Sequence, residues 1–119
     1  MKSHAKGPKA RADRFFSLIV RARGRCEKCG RAENLQCAHI FSRRYSATRC
    51  DEANAWCLCA GCHMTLTGDP LAHVEFAFAT IGEPAYRELR ARALAGAQTR
   101  VDWAEVAASL AGRWKELDR

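Results

Sequence analysis

Cys26-Glu-Lys-Cys29 and Cys59-Ala-Gly-Cys62 are the two stretches that decide the fold of this chain. Each places two thiols on one tight turn, and four thiolates together can fill the tetrahedral coordination sphere of Zn²⁺. A zinc ion whose four positions are all filled by protein is normally structural. The spacing between the pairs exceeds that of the common zinc ribbon. The sequence therefore predicts a structural zinc site with two short strands and a loop between its halves.

Three further cysteines lie outside these pairs: Cys37, Cys50 and Cys57. Seven cysteines are an odd number, which disfavours a complete disulfide framework and favours metal binding plus free thiols. Burial as small apolar side chains accounts for the three. Cys57 is close enough to compete for the metal, and the choice of Cys59 as ligand depends on its spacing to Cys62.

Hydrophobic periodicity and capping residues predict the surrounding elements. Phe15, Leu18, Ile19 and Ala22 recur at helical spacing, and Asp69 and Asp102 are typical helix N-caps. In chain order we expect a helix over 10–22, strands over 35–40 and 55–58, a loop over 42–53, and helices over 60–66, from 70 to about 81, from 84 to about 95, and after 102. These elements form one compact α+β domain with a basic N-terminal arm and helix (1–24), a zinc-bound core (25–68) and C-terminal helices (69–119) packed around the core.

Positive charge is concentrated at the N-terminal end. The net charge is +7, and residues 1–31 hold ten Lys or Arg against only Asp13 and Glu27. Such a basic segment on a near-neutral body favours contact with a phosphate backbone, although a solvated tail has the same composition. No apolar run approaches the roughly 20 residues of a membrane span, and the N-terminus lacks the pattern of a secretory signal. We therefore expect a cytoplasmic protein that binds DNA and no membrane.

The segment from Cys26 to Pro70 resembles an HNH endonuclease of the His-Me finger (ββα-metal) superfamily, with His39, Asn54 and His63 as the signature residues. Within that family, the run Cys37-Ala-His-Ile-Phe-Ser-Arg-Arg-Tyr45 and the run Thr48-Arg-Cys-Asp-Glu-Ala-Asn54 are similar to phage recombination nucleases of the NinG type. The resemblance implies a bacterial or phage-infected cell and DNA recombination as the process.

The resemblance also implies a role for each signature residue. His39 is the expected general base, His63 the expected ligand of a catalytic Mg²⁺ or Mn²⁺, and Asn54 the expected anchor of the intervening loop. Many members of the superfamily carry a second ligand directly before the base, where this chain has Ala38. We expect Asp51 to supply the missing carboxylate.

Basic residues near these positions are the expected contacts to DNA phosphates: Lys9, Arg11, Arg14, Arg43, Arg44 and Arg49. The sequence thus predicts a metal-dependent endonuclease that nicks or cleaves DNA, with branched recombination intermediates as substrates under the narrower resemblance. The alternative is a zinc-containing nucleic-acid-binding module whose catalytic site has decayed. Double-strand cleavage would need two active sites, which makes a homodimer attractive.

Overall fold

The structure is a computed structural model in which residues 6–96 and 100–118 are described. In chain order these residues form α1 (Pro8–Arg21), β1 (Leu35–His39), a 3₁₀ turn (Glu52–Asn54), β2 (Ala55–Cys59), α2 (Ala60–Thr67), α3 (Pro70–Ile81), α4 (Glu83–Ala95) and α5 (Trp103–Leu117). The described part of the chain is therefore a compact α+β fold of five α-helices and one small sheet, which confirms the predicted fold class at that level.

The sheet consists of two antiparallel strands, with Cys37 opposite Cys57 and His39 opposite Ala55. Every residue of β2 is buried, and α2 follows β2 without a connecting loop. The strand order leaves His39 at the end of β1 and the start of α2 at the other end of β2. The short sheet thus fixes the spacing between the two segments that carry the histidines.

Two apolar clusters cover the two sides of the sheet. One contains Trp56, Leu58 and Leu66 and is closed by side chains of α3 and α4. The other contains Phe16 and Ala107 and lies under α1 and α5, which pack against each other. Because α1 forms part of a core cluster, the basic N-terminal segment is built into the folded domain from Pro8 onward.

The helix caps agree with the sequence pattern, whereas the buried faces differ in part. Asp69 accepts a hydrogen bond from Ala72 N at 3.1 Å, and Asp102 accepts one from Glu105 N at 3.1 Å. In contrast, Leu71, which helical spacing groups with Val74, Phe78 and Ile81 on one predicted apolar stripe, is 78% exposed. Within the described residues, no helix has the length and apolar character needed to cross a membrane.

The inner face of α1 also differs from the expected stripe. Its buried residues are Ala12, Phe16, Ile19 and Val20, whereas periodicity placed the stripe at 15, 18, 19 and 22. The helix is contacted by the sheet on one side and by α5 on the other, so its buried surface is wider and is rotated from the predicted line.

The segment between the strands is ordered by turns and by two fully buried polar side chains. Thr48 and Asn54 are both 0% exposed. The segment ends in the 3₁₀ turn, which Asp51 caps by accepting a hydrogen bond from Ala53 N at 2.9 Å. A segment predicted as a plain loop is therefore held against the core at two points.

Candidate functional site

The four cysteines predicted as zinc ligands come together in one group. The sulfurs of Cys26, Cys29, Cys59 and Cys62 all lie within 4.8 Å of one another, and it is the one group of three or more close donors among the described residues. The Sγ atoms of Cys29 and Cys59 are 3.7 Å apart. A tetrahedral site with Zn–S bonds of about 2.3 Å separates its sulfurs by about 3.8 Å. The group therefore fits a structural metal such as zinc, and Cys57 is not part of it.

Backbone geometry around the cysteines explains this convergence. Gly30 has φ 82°, a left-handed conformation that glycine adopts without strain, and its N–H donates to Cys26 O at 2.9 Å. Cys59 ends β2 and Cys62 lies in the first turn of α2. The strand-to-helix junction thus presents the second pair of sulfurs to the first pair.

Thiol acidity is uneven within the cluster: burial and hydrogen bonds with the neighbouring cysteines raise the pKa of Cys62 to about 12, whereas Cys26 is far more acidic. Burial raises the pKa of Cys26, but backbone hydrogen bonds from Cys59, Cys29 and Lys28 outweigh burial and lower the pKa to about 6. Burial raises the pKa of Cys37 to about 12 and that of Cys50 to about 11. A bound metal deprotonates the thiols that coordinate it, but Cys37 and Cys50 lie outside the sulfur group and therefore remain protonated, small and apolar.

His39 and His63 face one cavity. Its volume is about 600 Å³, and its walls come from α1, β1, the loop after β1 and α2. Both histidines are half-buried, and their rings reach the cavity from opposite ends of the sheet. The cavity therefore joins the two imidazoles that the sequence singled out.

The hydrogen bond of His39 determines which ring nitrogen is free. Nε2 lies 2.9 Å from the carbonyl oxygen of Arg49, and a carbonyl oxygen only accepts. Nε2 therefore carries the proton, and Nδ1 keeps the lone pair. Burial lowers the pKa of His39 below 6.5, to which the charges of Arg43 and Arg49 also contribute, so the ring is neutral at pH 7.

His63 has the corresponding arrangement with the nitrogens reversed. Nδ1 lies 2.7 Å from Oε1 of Gln36 on β1. With Nδ1 donating to the amide oxygen, Nε2 keeps its lone pair, and metal-binding histidines commonly donate their other N–H in this way. Burial lowers the pKa of His63, which also favours the neutral ring that binds a metal.

Asn54 anchors the loop, as the resemblance implies. Its Oδ1 accepts from Phe41 N at 2.8 Å, and its Nδ2 donates to Phe41 O at 2.9 Å and to Thr48 O at 3.0 Å. The side chain is fully buried. Asn54 therefore holds the loop at Phe41, where it begins, and at Thr48, next to the residue whose carbonyl binds His39.

Asp51 does not lie with the histidines. One carboxylate oxygen caps the 3₁₀ turn and the other accepts from Arg92 at 2.6 Å, while the residue lines a separate cavity next to α5. This placement contradicts the expectation that Asp51 completes the metal site beside His63. Ala38 is 3% exposed and belongs to the apolar core, so position 38 supplies no ligand either.

The predicted arginines divide into different roles. Arg43 lines the histidine cavity, and Arg44 is exposed with its guanidinium 5.5 Å from the ring centroid of Tyr45. Arg49 is engaged within the protein: its guanidinium binds Asp13 and the carbonyl of Arg43. The expectation of a phosphate contact by Arg49 is thus contradicted by its geometry, because these bonds occupy the guanidinium.

Two cavity residues were not singled out by the sequence pattern. Asp13 and Arg21, both on α1, line the same cavity as His39 and His63. Nothing in the local sequence marks them, because they reach the cavity only through the packing of α1 on the sheet. Arg21 is the last residue of α1, and Asp13 lies eight positions before it on the same helix.

The basic residues of α1 are exposed on the folded surface. Arg14 precedes Arg21 by seven positions and so lies on the same face of α1. Lys9 stacks at 5.4 Å on the ring of Trp103, and Arg11 at 5.4 Å on that of Phe15. The positive charge therefore lies on an ordered helix, where its spacing is fixed.

The remaining two histidines are outside this constellation. The ring of His73 packs edge-on against Trp56 at 5.1 Å, and its Nε2 lies 3.4 Å from the carbonyl oxygen of His39, as expected of a histidine with a structural role. His4 lies outside the described residues.

Comparison with protein-family models, with curated proteins and with solved structures finds no match to this chain.

Proposed function

We propose that this chain is a metal-dependent DNA endonuclease of the HNH (ββα-metal) type, with a structural zinc and with His39 as general base. The observation that carries the proposal is the shared cavity of His39 and His63, with Arg21 and Arg43 in its walls. A neutral base, a free metal-ligand nitrogen and two cations in one cleft match the needs of phosphodiester hydrolysis. The proposal rests on these residues and on the HNH resemblance of the zinc-bound segment.

His39 supplies the proton acceptor. Its Nδ1 lone pair points away from the Arg49 carbonyl, and at neutral pH the lowered pKa keeps that nitrogen unprotonated. A water molecule placed at Nδ1 can transfer a proton to the ring as it attacks phosphorus. The same hydrogen bond to Arg49 stabilises the imidazolium that forms.

His63 is the residue that would hold a divalent cation, through Nε2. When bound, Mg²⁺ or Mn²⁺ supplies positive charge against the negative charge that builds up on the phosphate and on the leaving 3′ oxygen. His63 is the single nitrogen donor available for it here, and Mg²⁺ commonly takes most of its ligands from water and substrate phosphates. We therefore expect metal affinity to rise when DNA binds.

Arg21 and Arg43 would contact the phosphates that flank the scissile bond. Planar guanidinium groups bind phosphate oxygens in pairs, and both side chains are exposed at the cavity. Arg14, on the same face of α1, would extend the contact along the backbone. Such contacts position DNA without reading its sequence.

A nucleic-acid-binding module with a decayed catalytic site is the second candidate. It is favoured by the buried Ala38 and by the distance of Asp51 from the cavity, which leave the metal site poor in protein ligands. Both candidates bind DNA through Arg14, Arg21 and Arg43, so a binding assay does not separate them. A cleavage assay does, because only the endonuclease cuts DNA.

The test is a plasmid nicking assay on zinc-loaded protein dialysed against metal-free buffer, with Mg²⁺ or Mn²⁺ added back. EDTA is unsuitable as the first control because it also removes zinc. We expect nicking only with added metal, and a loss of at least a hundredfold in His39→Ala. Folding of the variant is checked by zinc content and circular dichroism. Wild-type protein that binds but never nicks DNA would support the decayed module.

The phosphate contacts are tested by the salt dependence of DNA binding. Each lost phosphate contact lowers the slope of log K against log salt by about 0.9, so Arg14→Ala and Arg43→Ala should each flatten the slope. Arg90→Ala removes the same charge from the exposed surface of α4 and should not. Parallel arms with plain duplex and a four-way junction test the branched substrate that the NinG resemblance suggests.

A further inference from the structure

Asp13 forms a paired salt bridge with Arg49 across 36 positions of sequence. Oδ1 accepts from Nε at 2.9 Å and Oδ2 from Nη2 at 2.7 Å. The two side chains are only 24% and 15% exposed, so the pair is better shielded from water than the other ion pairs of the described chain, such as Glu83 with Arg87. This geometry joins α1 rigidly to the loop between the strands.

The same residue, Arg49, holds the ring of His39. The backbone carbonyl of Arg49 accepts the Nε2 proton, while its side chain is bound to Asp13. The ring of Phe16, three positions after Asp13 on α1, packs 5.5 Å from the imidazole. Helix α1 therefore contacts His39 directly through Phe16 and indirectly through Asp13 and Arg49.

Apart from the bonds to Asp13, the contacts of Arg49 are longer or hold a neighbouring group: its N–H donates to Ser46 O at 3.4 Å, and its guanidinium lies 5.9 Å from the ring centroid of Trp103. Asn54 holds the carbonyl of Thr48, which is one residue earlier, and the Arg49 guanidinium also donates to the carbonyl of Arg43. If Arg49 lost Asp13, the peptide group between Arg49 and Cys50, which carries this carbonyl, could rotate about the single bonds on either side of it. The acceptor for Nε2 would then leave its place, although the rest of the loop would stay attached.

The geometry points to Asp13 as a positioning residue: through Arg49, it fixes the orientation and proton placement of His39. The consequence for catalysis rests on the proposed function, whereas the consequence for the ring does not. Asp13 itself has both oxygens occupied by Arg49, so it is not a free metal ligand or base. Its role is to keep Nδ1 aimed at the cavity.

The ring is tested directly by nitrogen-15 NMR of zinc-loaded protein at pH 7.5, without DNA or added divalent metal. In the wild type we expect one His39 tautomer with an exchange-protected Nε2 proton. In Asp13→Asn we expect the protected proton to vanish and the two ring nitrogens to average. Glu83→Gln breaks an exposed carboxylate–arginine pair on α4 and should leave the signal intact.

Two further variants separate positioning from loss of structure. Arg49→Lys keeps the charge but only one of the two bonds to Asp13, so its Nε2 proton should exchange faster than in the wild type. The swapped pair, Asp13→Arg with Arg49→Asp, should restore protection. A His39 signal that is unprotected in the wild type, or unchanged in folded Asp13→Asn and Arg49→Lys, would overturn the proposal.

Kinetics provide a second readout. Removing a negative charge next to the phosphate site strengthens DNA binding, so Asp13→Asn should lower KM or leave it unchanged. A misplaced base should lower kcat at least tenfold, and the swapped pair should recover most of it. An unchanged kcat together with a lost NMR signal would contradict the catalytic consequence. If the wild type does not nick DNA with any metal, the proposed function fails, and the NMR result still decides the role of Asp13.

Discussion

Replacement of Asn54 by alanine is the most direct probe of the loop that holds His39. The side chain is 0% exposed and makes three hydrogen bonds of 2.8 to 3.0 Å with Phe41 and Thr48. A hydrogen bond contributes about 1 kcal/mol net, and leaving a buried partner unsatisfied costs about 1–3 kcal/mol. Phe41 N and Phe41 O lose their partner, while Thr48 O keeps its bond from Asp51 N at 3.2 Å, so we expect a loss of about 3–5 kcal/mol.

That loss is large against the roughly 5–15 kcal/mol of a typical domain. The assay is urea unfolding at saturating zinc, followed by tryptophan fluorescence and circular dichroism. Thr65→Ala is the matched control, because its exposed hydroxyl bonds only to Gly61 O of its own helix. We expect it to change the free energy of unfolding by no more than about 0.5 kcal/mol.

Asn54→Asp provides a sharper version of the same test. The new carboxylate would place an acceptor against the carbonyls of Phe41 and Thr48, which raises its pKa above the ordinary value. Protonation restores one donor, so the defect relative to wild type should shrink as pH falls from 7 towards 5. A folded Asn54→Ala protein that loses less than about 1 kcal/mol, or an Asp variant without acid recovery, would refute the described hydrogen-bond network.

Three other predictions follow from separate features. Cys62→Ser should abolish zinc binding and unfold the core, because a structural zinc contributes on the order of 10 kcal/mol; zinc content per chain and circular dichroism check this. Arg43→Gln should move the acid limb of the pH profile of nicking to higher pH. Burial and the charge of Arg43 hold the pKa of His39, the proposed base, below 6.5, and removing that charge raises it. Gly96→Ala should destabilise by about 1–3 kcal/mol, since its Cβ would overlap a loop alanine, whereas Gly112→Ala, with open space in the middle of α5, should stabilise by about 0.5–1 kcal/mol in thermal unfolding.

Each of these has a result that contradicts it. Cys50→Ala should keep its zinc, and a folded, zinc-loaded Cys62→Ser protein would remove the thiolate assignment. A pH profile that shifts to lower pH in Arg43→Gln would show that the limb does not report the proposed base. Equal effects of the two glycine substitutions would show that the close approach of Gly96 to the loop is not formed in solution.

Local pattern was sufficient for the elements and for the zinc group. Two Cys-x-x-Cys pairs determine their own turns, and Asp69 and Asp102 mark helix starts by a side chain that bonds to its neighbours. These signals act within a few residues. Because these signals are local, the strand and helix bounds predicted from them differ from those in the structure by only one or two residues.

Long-range packing accounts for what the pattern missed. Asp13 and Arg49 meet only because α1 lies across the sheet, and no local sequence pattern near either residue predicts their salt bridge. Asp51 was predicted as a ligand because it lies in the loop between the strands, close in sequence to His39, but Arg92 of α4, 41 positions away, binds its carboxylate outside the histidine cavity. The exposed side chain of Leu71 is a similar case. Helical spacing predicts which residues share one face of a helix, but not which part of that face another element covers.

The direct succession of Cys62 and His63 at the start of α2 has a consequence for the cell. Cys62 belongs to the sulfur cluster, and His63 lines the cavity and bonds to Gln36. The imidazole of His63 therefore loses its position when Cys62 no longer coordinates zinc. Scarcity of zinc would leave an inert chain, and resupply would recover scaffold and cleft in a single event. Under the function proposed above, nuclease activity would then follow the supply of zinc, although zinc takes no part in the cleavage step.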